Sequence, residues 1–325
     1  MMQIAVLGAG GLGKAAGKII SLKKEMRLVA ICDHQGFAFN PDGLNCAEIE
    51  EIKIGSTVGK MPDGKMSDDS IGEIIKISND IDGIFVALPN LPNEFIPGVI
   101  QRFIDAGYQG VWTDALKRTQ AMELMFELNE GLKSTKSTYI TGAGATPGLL
   151  TAAAVIAAQS FIEVSKVTIW WGVGIANWEA YKATIREDIA HLPGFTVEKA
   201  KALSDEDVTK LLDERNGILE LHEMEHADDL LLQKAGVVDS RDKVEVGGVL
   251  DTRHAKKPVT TTMTLTGKTF DGKTSSHKFI LGDETTMAAN VIGPALGYLK
   301  RAKWLNEHQI YGIYGSTEFM PGVVK

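Results

Sequence analysis

Ile4-Ala-Val-Leu-Gly-Ala-Gly-Gly-Leu-Gly-Lys-Ala-Ala-Gly17 is the stretch that decides the fold. The apolar run Ile4 to Leu7 reads as a buried parallel strand, and a helical pattern follows through Ile20. Between them lies Gly8-x-Gly10-x-x-Gly13. Gly8 permits a tight turn, Gly10 lets a pyrophosphate approach the backbone, and Gly13 lets helix and strand pack closely. The N–H groups of Gly11, Leu12 and Gly13 at the helix start would then face the phosphates. A second apolar run, Arg27 to Cys32, ends at Asp33, 20 residues past Gly13. An acid at that distance accepts hydrogen bonds from the adenosine ribose of NAD and repels the additional phosphate of NADP. The expected cofactor is therefore NAD or NADP, with Asp33 favouring NAD, while Lys14 and His34 keep the phosphorylated form open.

Working outward, the chain has 325 residues, enough for two domains with sizeable cores. Its 44% hydrophobic and 23% charged content is that of a globular protein. A net charge of −8 without a basic block argues against a nucleic-acid partner. Leu149 to Ala158 is apolar but too short to span a bilayer, so no membrane association is expected. The two cysteines, Cys32 and Cys46, form neither a disulfide framework nor a CxxC motif, which suits a reducing, cytoplasmic setting.

Strand and helix patterns alternate through the first 150 or so residues, as a doubly wound α/β Rossmann-type parallel sheet requires. Gly36 to Lys65 reads as a long loop with one short strand, and Ala115 to Lys133 as one long helix. From Val164 the period changes. Val167, Ile169, Trp171 and Val173 alternate, and Asp271-Gly272 joins two further strand patterns as a hairpin. The expected organisation is a dinucleotide-binding domain over 1–160 and a substrate and closure domain over 161–284. The latter is α+β, built on a mostly antiparallel sheet. A helix and tail over 285–325 return to the first domain.

Ligands of open α/β sheets bind beyond the carboxyl ends of the strands, and three such ends carry candidates. Leu88-Pro89 would lie near the nicotinamide ribose. Thr113 would contact the cofactor, while Asp114 and Lys117 could orient substrate or pass a proton; an Asp there equally caps a helix. Gly142-Ala-Gly-Ala-Thr-Pro-Gly148 opens a helix whose unpaired N–H groups could hold a substrate carboxylate, with Gly144, Thr146, Pro147 and Gly148 as binding residues. A competing signal is His222-Glu-Met-Glu-His226, which satisfies HExxH. On a helix it would place two histidines on a zinc ion with Glu223 as base, the arrangement of a zinc-dependent hydrolase. Leu219-Glu-Leu-His222 also alternates as a strand would, and no third ligand is evident, so no metal is assigned.

Val6-Leu-Gly-Ala-Gly-Gly-Leu-Gly13, Asp33, Val86-Ala-Leu-Pro89, Thr113-Asp114 and Gly144-Ala-Thr-Pro-Gly-Leu149 together resemble the saccharopine dehydrogenase-like oxidoreductases, and Thr285 to Gly293 resembles that group's returning helix. The middle domain matches poorly. The resemblance implies hydride transfer, with NAD or NADP, to or from an imine, amine or carbonyl carbon of a small amino-acid-like substrate. The glucose–fructose oxidoreductases share the two-domain plan but carry Glu-Lys-Pro where this chain has Thr113-Asp-Ala115, which counts against a sugar substrate. A homodimer is expected. A non-catalytic dinucleotide sensor is the remaining alternative.

Overall fold

The apolar run after Met1 forms β1 (Met2–Leu7), and Ile4 through Leu7 are wholly buried. The computed structural model describes every residue except Ile54, Leu91, Ala176, Asn177, Ala183 and Glu284, and the side chains of 179, 180 and 287. Two compact units result, one from residues 1–152 and 288–325, the other from 153–287. In the first, β2 (Met26–Cys32), β3 (Gly36–Phe39), β4 (Gly64–Met66), β5 (Gly83–Val86), β6 (Val111–Asp114) and β7 (Thr138–Thr141) follow β1. The second holds β8 (Glu163–Gly174), β9 (Ile218–Leu221), β10 (Val244–Asp251), β11 (Thr262–Lys268) and β12 (Thr274–Ile280). β13 (Gly312–Gly315) belongs to the first unit again.

The first sheet runs β13-β7-β6-β5-β1-β2-β3-β4. Every pair from β13 to β2 is parallel, whereas β2–β3 and β3–β4 are antiparallel. β1 pairs with β2 on one side and β5 on the other, so the strand order reverses there and opens a crevice at the strand ends. α1 (Gly11–Ser21) buries Gly13, Ala16, Gly17 and Ile20, three or four residues apart, against this sheet. Trp112 of β6 is 1% exposed, stacks on Tyr139 of β7 and meets Phe103 and Tyr108 edge-on. That aromatic nest fixes the strand just before Thr113 and Asp114.

Two elements depart from expectation. The 36–65 segment is not a loop with one strand, since it builds β3, α2 (Cys46–Glu51), a 3₁₀ turn at Val58–Lys60 and β4; its Ile54 lies outside the described residues. Short-range turn chemistry carries this: Asn45 caps α2 and Thr57 caps the 3₁₀ turn. The long helix over 115–133 is also corrected. Residues 115–118 are not helical, and α5 (Thr119–Glu127) and α6 (Asn129–Ser134) are separate, with α3 (Ser70–Lys76) and α4 (Phe95–Asp105) earlier in the chain. Asp114 accepts from the Leu116 N–H and so turns the chain away from a helix at once.

The second sheet, β12-β11-β8-β10-β9, is antiparallel except for β8–β10. Trp170 and Trp171 project from opposite faces of β8 and lie in register with Gly247 and Gly248 of β10. A Cβ on Gly247 would come within 2.7 Å of the Trp170 ring, and one on Gly248 within 2.3 Å of Trp171. Each glycine gives its volume to the indole across the ladder. Among the described residues, five short helices between 178 and 234 accompany this sheet.

Candidate active site

Gly8 has φ +105°, and a Cβ there would meet the Ala87 carbonyl oxygen at 2.4 Å. The turn after β1 therefore touches the end of β5, and Leu88 and Pro89 follow that contact directly. A Cβ on Gly13 would lie 1.8 Å from the Gly8 oxygen. Around Gly10 and Gly11 the picture reverses, because a Cβ at either meets nothing within 4 Å. Gly10 is the N-cap of α1; no side chain caps the first turn and no acidic residue lies in it. The donors of Gly11, Leu12 and Gly13 thus head a helix whose positive end opens into clear space, as a bound diphosphate needs.

Asp33 ends β2 as expected, but it is heavily used within the protein. Its Oδ1 accepts from the N–H groups of Gln35 and Gly36 and from Thr57 Oγ1 at 2.7 Å, and its Oδ2 accepts from Val58 N–H at 2.8 Å. A carboxylate offers about four acceptor positions, two on each oxygen, so what remains for a ribose is on Oδ2. Cys32 beside it is inert, since burial pushes its thiol up to about 12.

Asp114 is wholly buried. Oδ1 accepts from Leu116 N–H at 3.0 Å and Gly142 N–H at 2.7 Å, and Oδ2 accepts from the Tyr139 and Thr141 hydroxyls at 2.9 and 2.8 Å. Burial raises its carboxyl pKa above the ordinary range against the pull of these four bonds. It ties β6 to β7 and caps no helix. Lys117 is half-buried on the extended stretch beyond it, and the next residue, Arg118, donates to Asn93 of the β5–α4 connection at 2.9 Å. Thr113 Oγ is buried and has no hydrogen-bond partner among the described residues.

The 142–148 loop corrects one expectation. The N–H groups at the start of α7 (Leu149–Ala158) are not an unpaired crown. Leu149 and Leu150 donate to the carbonyls of Gly144 and Ala145, and Gly148 donates to Thr151 Oγ1. The loop folds back because Gly148 takes φ +127° with its Cα against Gly144, where a Cβ would lie 2.0 Å from the Gly144 oxygen. Gly144, Thr146, Pro147 and Gly148 thus form a closed turn at the end of β7, beside Ala115.

HExxH is corrected as well. Leu219 and Leu221 pair with Leu250 and Gly248 in β9, so the strand reading wins and no helix carries the two histidines. His222 is exposed, 3.1 Å from Glu220, with its ring by Trp170; Glu223 has φ +46°; His226 is 4% exposed and 2.6 Å from the buried Asp228 carboxylate. Among the described residues no group of three His, Cys, Asp or Glu side chains is placed to hold a metal. The helical zinc-binding arrangement that HExxH implies is therefore not formed by these residues. His226→Ala is expected to destabilise the protein by about 1–3 kcal/mol, as the loss of a buried polar side chain packed on a buried carboxylate, and His222→Ala by under about 0.5 kcal/mol, read by denaturant unfolding. Equal costs would contradict the buried pair.

No protein-family model matches the chain. The (S)-8-amino-7-oxononanoate synthase BioU of Haloferax mediterranei is 43% identical over 350 aligned residues, which cover 99% of each protein. The chain belongs to the BioU family. Among solved structures, the diaminopimelate (DAP) dehydrogenase of C. glutamicum in complex with DAP aligns over 98% of this chain and 93% of its own, with TM-score 0.58 and 15% identity. An engineered D-amino acid dehydrogenase bound to NADP⁺ aligns over 98% and 93%, with TM-score 0.57 and 15% identity. Saccharopine dehydrogenase from Saccharomyces cerevisiae aligns over 98% and 94%, with TM-score 0.56 and 13% identity. The resemblance to the saccharopine dehydrogenase-like proteins thus holds in the fold: this chain shares their plan of a Rossmann-type domain with a second domain. Thr57, Val58, Tyr139 and Thr141 are partners of the candidate carboxylates Asp33 and Asp114 that the sequence did not reveal. The only signal for the last two was their place on the strand pattern that follows the one ending at Asp114.

Proposed function

We propose that this chain is an NAD(P)-dependent oxidoreductase acting on 8-amino-7-oxononanoate or a close derivative. The observation that carries the reading is the open, uncapped start of α1 beneath Gly10 and Gly11, at the point where the strand order reverses. The BioU relative is named a synthase of (S)-8-amino-7-oxononanoate, which ties the family's chemistry to that compound. That compound has a carboxylate, a ketone at C7 and an amine at C8, which matches the amino-acid-like carbonyl or imine substrate implied by the sequence resemblance. Bound nicotinamide would supply or accept the hydride. In this reading Gly8, Gly10, Gly11, Leu12 and Gly13 hold the diphosphate, Asp33 the adenosine ribose, and Leu88, Pro89 and Thr113 the nicotinamide half. Asp114 is a positioning residue that sets the β6 and β7 ends. Lys117 orients the substrate or passes a proton at its nitrogen or oxygen, and the turn of Gly144, Thr146, Pro147 and Gly148 borders the substrate. A homodimer in the cytoplasm belongs to the same reading.

The test is fluorescence titration with NADH and NADPH, followed by mass spectrometry of protein, cofactor and 8-amino-7-oxononanoate incubated together. Saturable binding of a reduced cofactor, and its oxidation when the amino-keto acid is added, are expected. Lys117→Ala is expected to keep cofactor binding and lose at least ~100-fold in turnover, the scale of a positioned acid or base. Absence of binding up to millimolar cofactor would refute the assignment, and binding without turnover would favour the sensor.

A further inference from the structure

The carboxylate of Asp33 is held from outside the glycine-rich motif. Thr57 is 1% exposed, so its hydroxyl reaches no ligand itself. It donates to Asp33 Oδ1 and accepts from Gly59 N–H at 3.0 Å, linking the end of β2 to the 3₁₀ turn. The neighbouring Val58 N–H takes Asp33 Oδ2. The seam between turn and loop is tight: a Cβ on Gly36 would lie 2.7 Å from Gly59 Cα and 2.6 Å from the Lys65 oxygen. The upstream end of the same segment is tethered to α1 by Lys14, whose ammonium donates to the Ile52 carbonyl. Oδ1 therefore has three donors and Oδ2 one, and the carboxylate plane is fixed with an Oδ2 acceptor position left over.

We propose that Thr57 is a positioning residue for cofactor choice: by clasping Asp33 it presents the remaining Oδ2 acceptor to the adenosine ribose and favours NADH over NADPH. The inference rests on the dinucleotide reading above. A free 2′-hydroxyl can donate to that oxygen, whereas a 2′-phosphate has no such proton and adds negative charge. Loosening the clasp consequently weakens the unphosphorylated cofactor selectively. With valine at 57 the Asp33 bond is gone and Gly59 N–H loses its acceptor, so the loop carrying Val58 N–H loses its anchor as well.

The experiment is parallel titration of NADH and NADPH into wild type, Thr57→Val, Thr57→Ser and Asp33→Asn, with thermal melts of each. Thr57→Val is expected to weaken NADH about tenfold, the scale of one charge-assisted hydrogen bond, while NADPH changes by less than about twofold. Thr57→Ser restores the wild-type ratio, and Asp33→Asn narrows it. An equal loss for both cofactors in Thr57→Val, or an unchanged ratio, overturns the proposal and leaves the dinucleotide site standing. Failure of wild type to bind either cofactor overturns the dinucleotide reading itself, and this inference with it.

Discussion

Gly13→Ala is expected to destabilise the first unit strongly, whereas Gly10→Val is expected to leave its stability intact and remove dinucleotide binding. The two glycines sit three residues apart in one motif, yet their surroundings are opposite. A methyl at 13 would stand 1.8 Å from the Gly8 carbonyl oxygen and 2.8 Å from its carbon, and both are backbone atoms that no rotamer change can clear. Relief requires α1 to lift off β1, separating a helix face that buries Ala16, Gly17 and Ile20. That costs about 4 kcal/mol or more, a large share of a typical domain's stability. Gly10 has φ −72°, which any residue can adopt, and no atom lies within 4 Å of its absent Cβ. Valine there meets only the space the diphosphate would fill. Thermal melts and NADH titration read the pair. A Gly13→Ala protein that melts like wild type would contradict the strand–helix seam, and a Gly10→Val protein that binds normally would place the cofactor elsewhere.

Asp114→Ala is the second large effect, and Asp114→Asn is its control. Alanine leaves the buried N–H groups of Leu116 and Gly142 without their acceptor, together with two buried hydroxyls, at about 1–3 kcal/mol for each backbone group. A loss of roughly 4 kcal/mol is expected, lowering the melting temperature of the first unit by about 8–16 °C, given its size. Asparagine keeps one oxygen for the two N–H donors, and its amide can donate to the Tyr139 and Thr141 hydroxyls once these rotate. It is expected to cost under about 1.5 kcal/mol and to retain turnover, which a proton-shuttling Asp114 would not permit. Because burial sets the folded pKa of Asp114 above its unfolded value, its titration contributes stability that is complete below the unfolded pKa of about 3.9 and is lost as pH rises through the folded value. The margin of wild type over Asp114→Asn should therefore narrow from acid toward neutral pH. A widening margin would mean that the four bonds outweigh burial.

The glycine motif, the parallel strands beside it and the change of period near Val164 were legible because each rests on local pattern: apolar runs, spacing and turn residues. The elements that escaped reading depend on partners far along the chain. Asp33 reads as a free ribose acceptor until Thr57, 24 residues on, is folded against it. The helix expected from Ala115 is undone by a carboxylate that also reaches Tyr139, Thr141 and Gly142. HExxH misleads because Ile218 to Leu221 suit a strand as well as a helix, and only pairing with β10 chooses between them. The N–H groups at the start of α7 looked available because nothing local announces that Gly144 and Ala145 fold back to accept from them.

β13 adds one more consequence. Gly312–Gly315 pairs in parallel with β7 and completes the edge of the first sheet. The ribosome makes those four residues only after all of 153–287 has been synthesised. The first unit must therefore wait, with its β7 ladder open, while a later-made and sequence-contiguous unit is already complete enough to fold. During synthesis that bare ladder is an open edge at which wrong strand pairing can start.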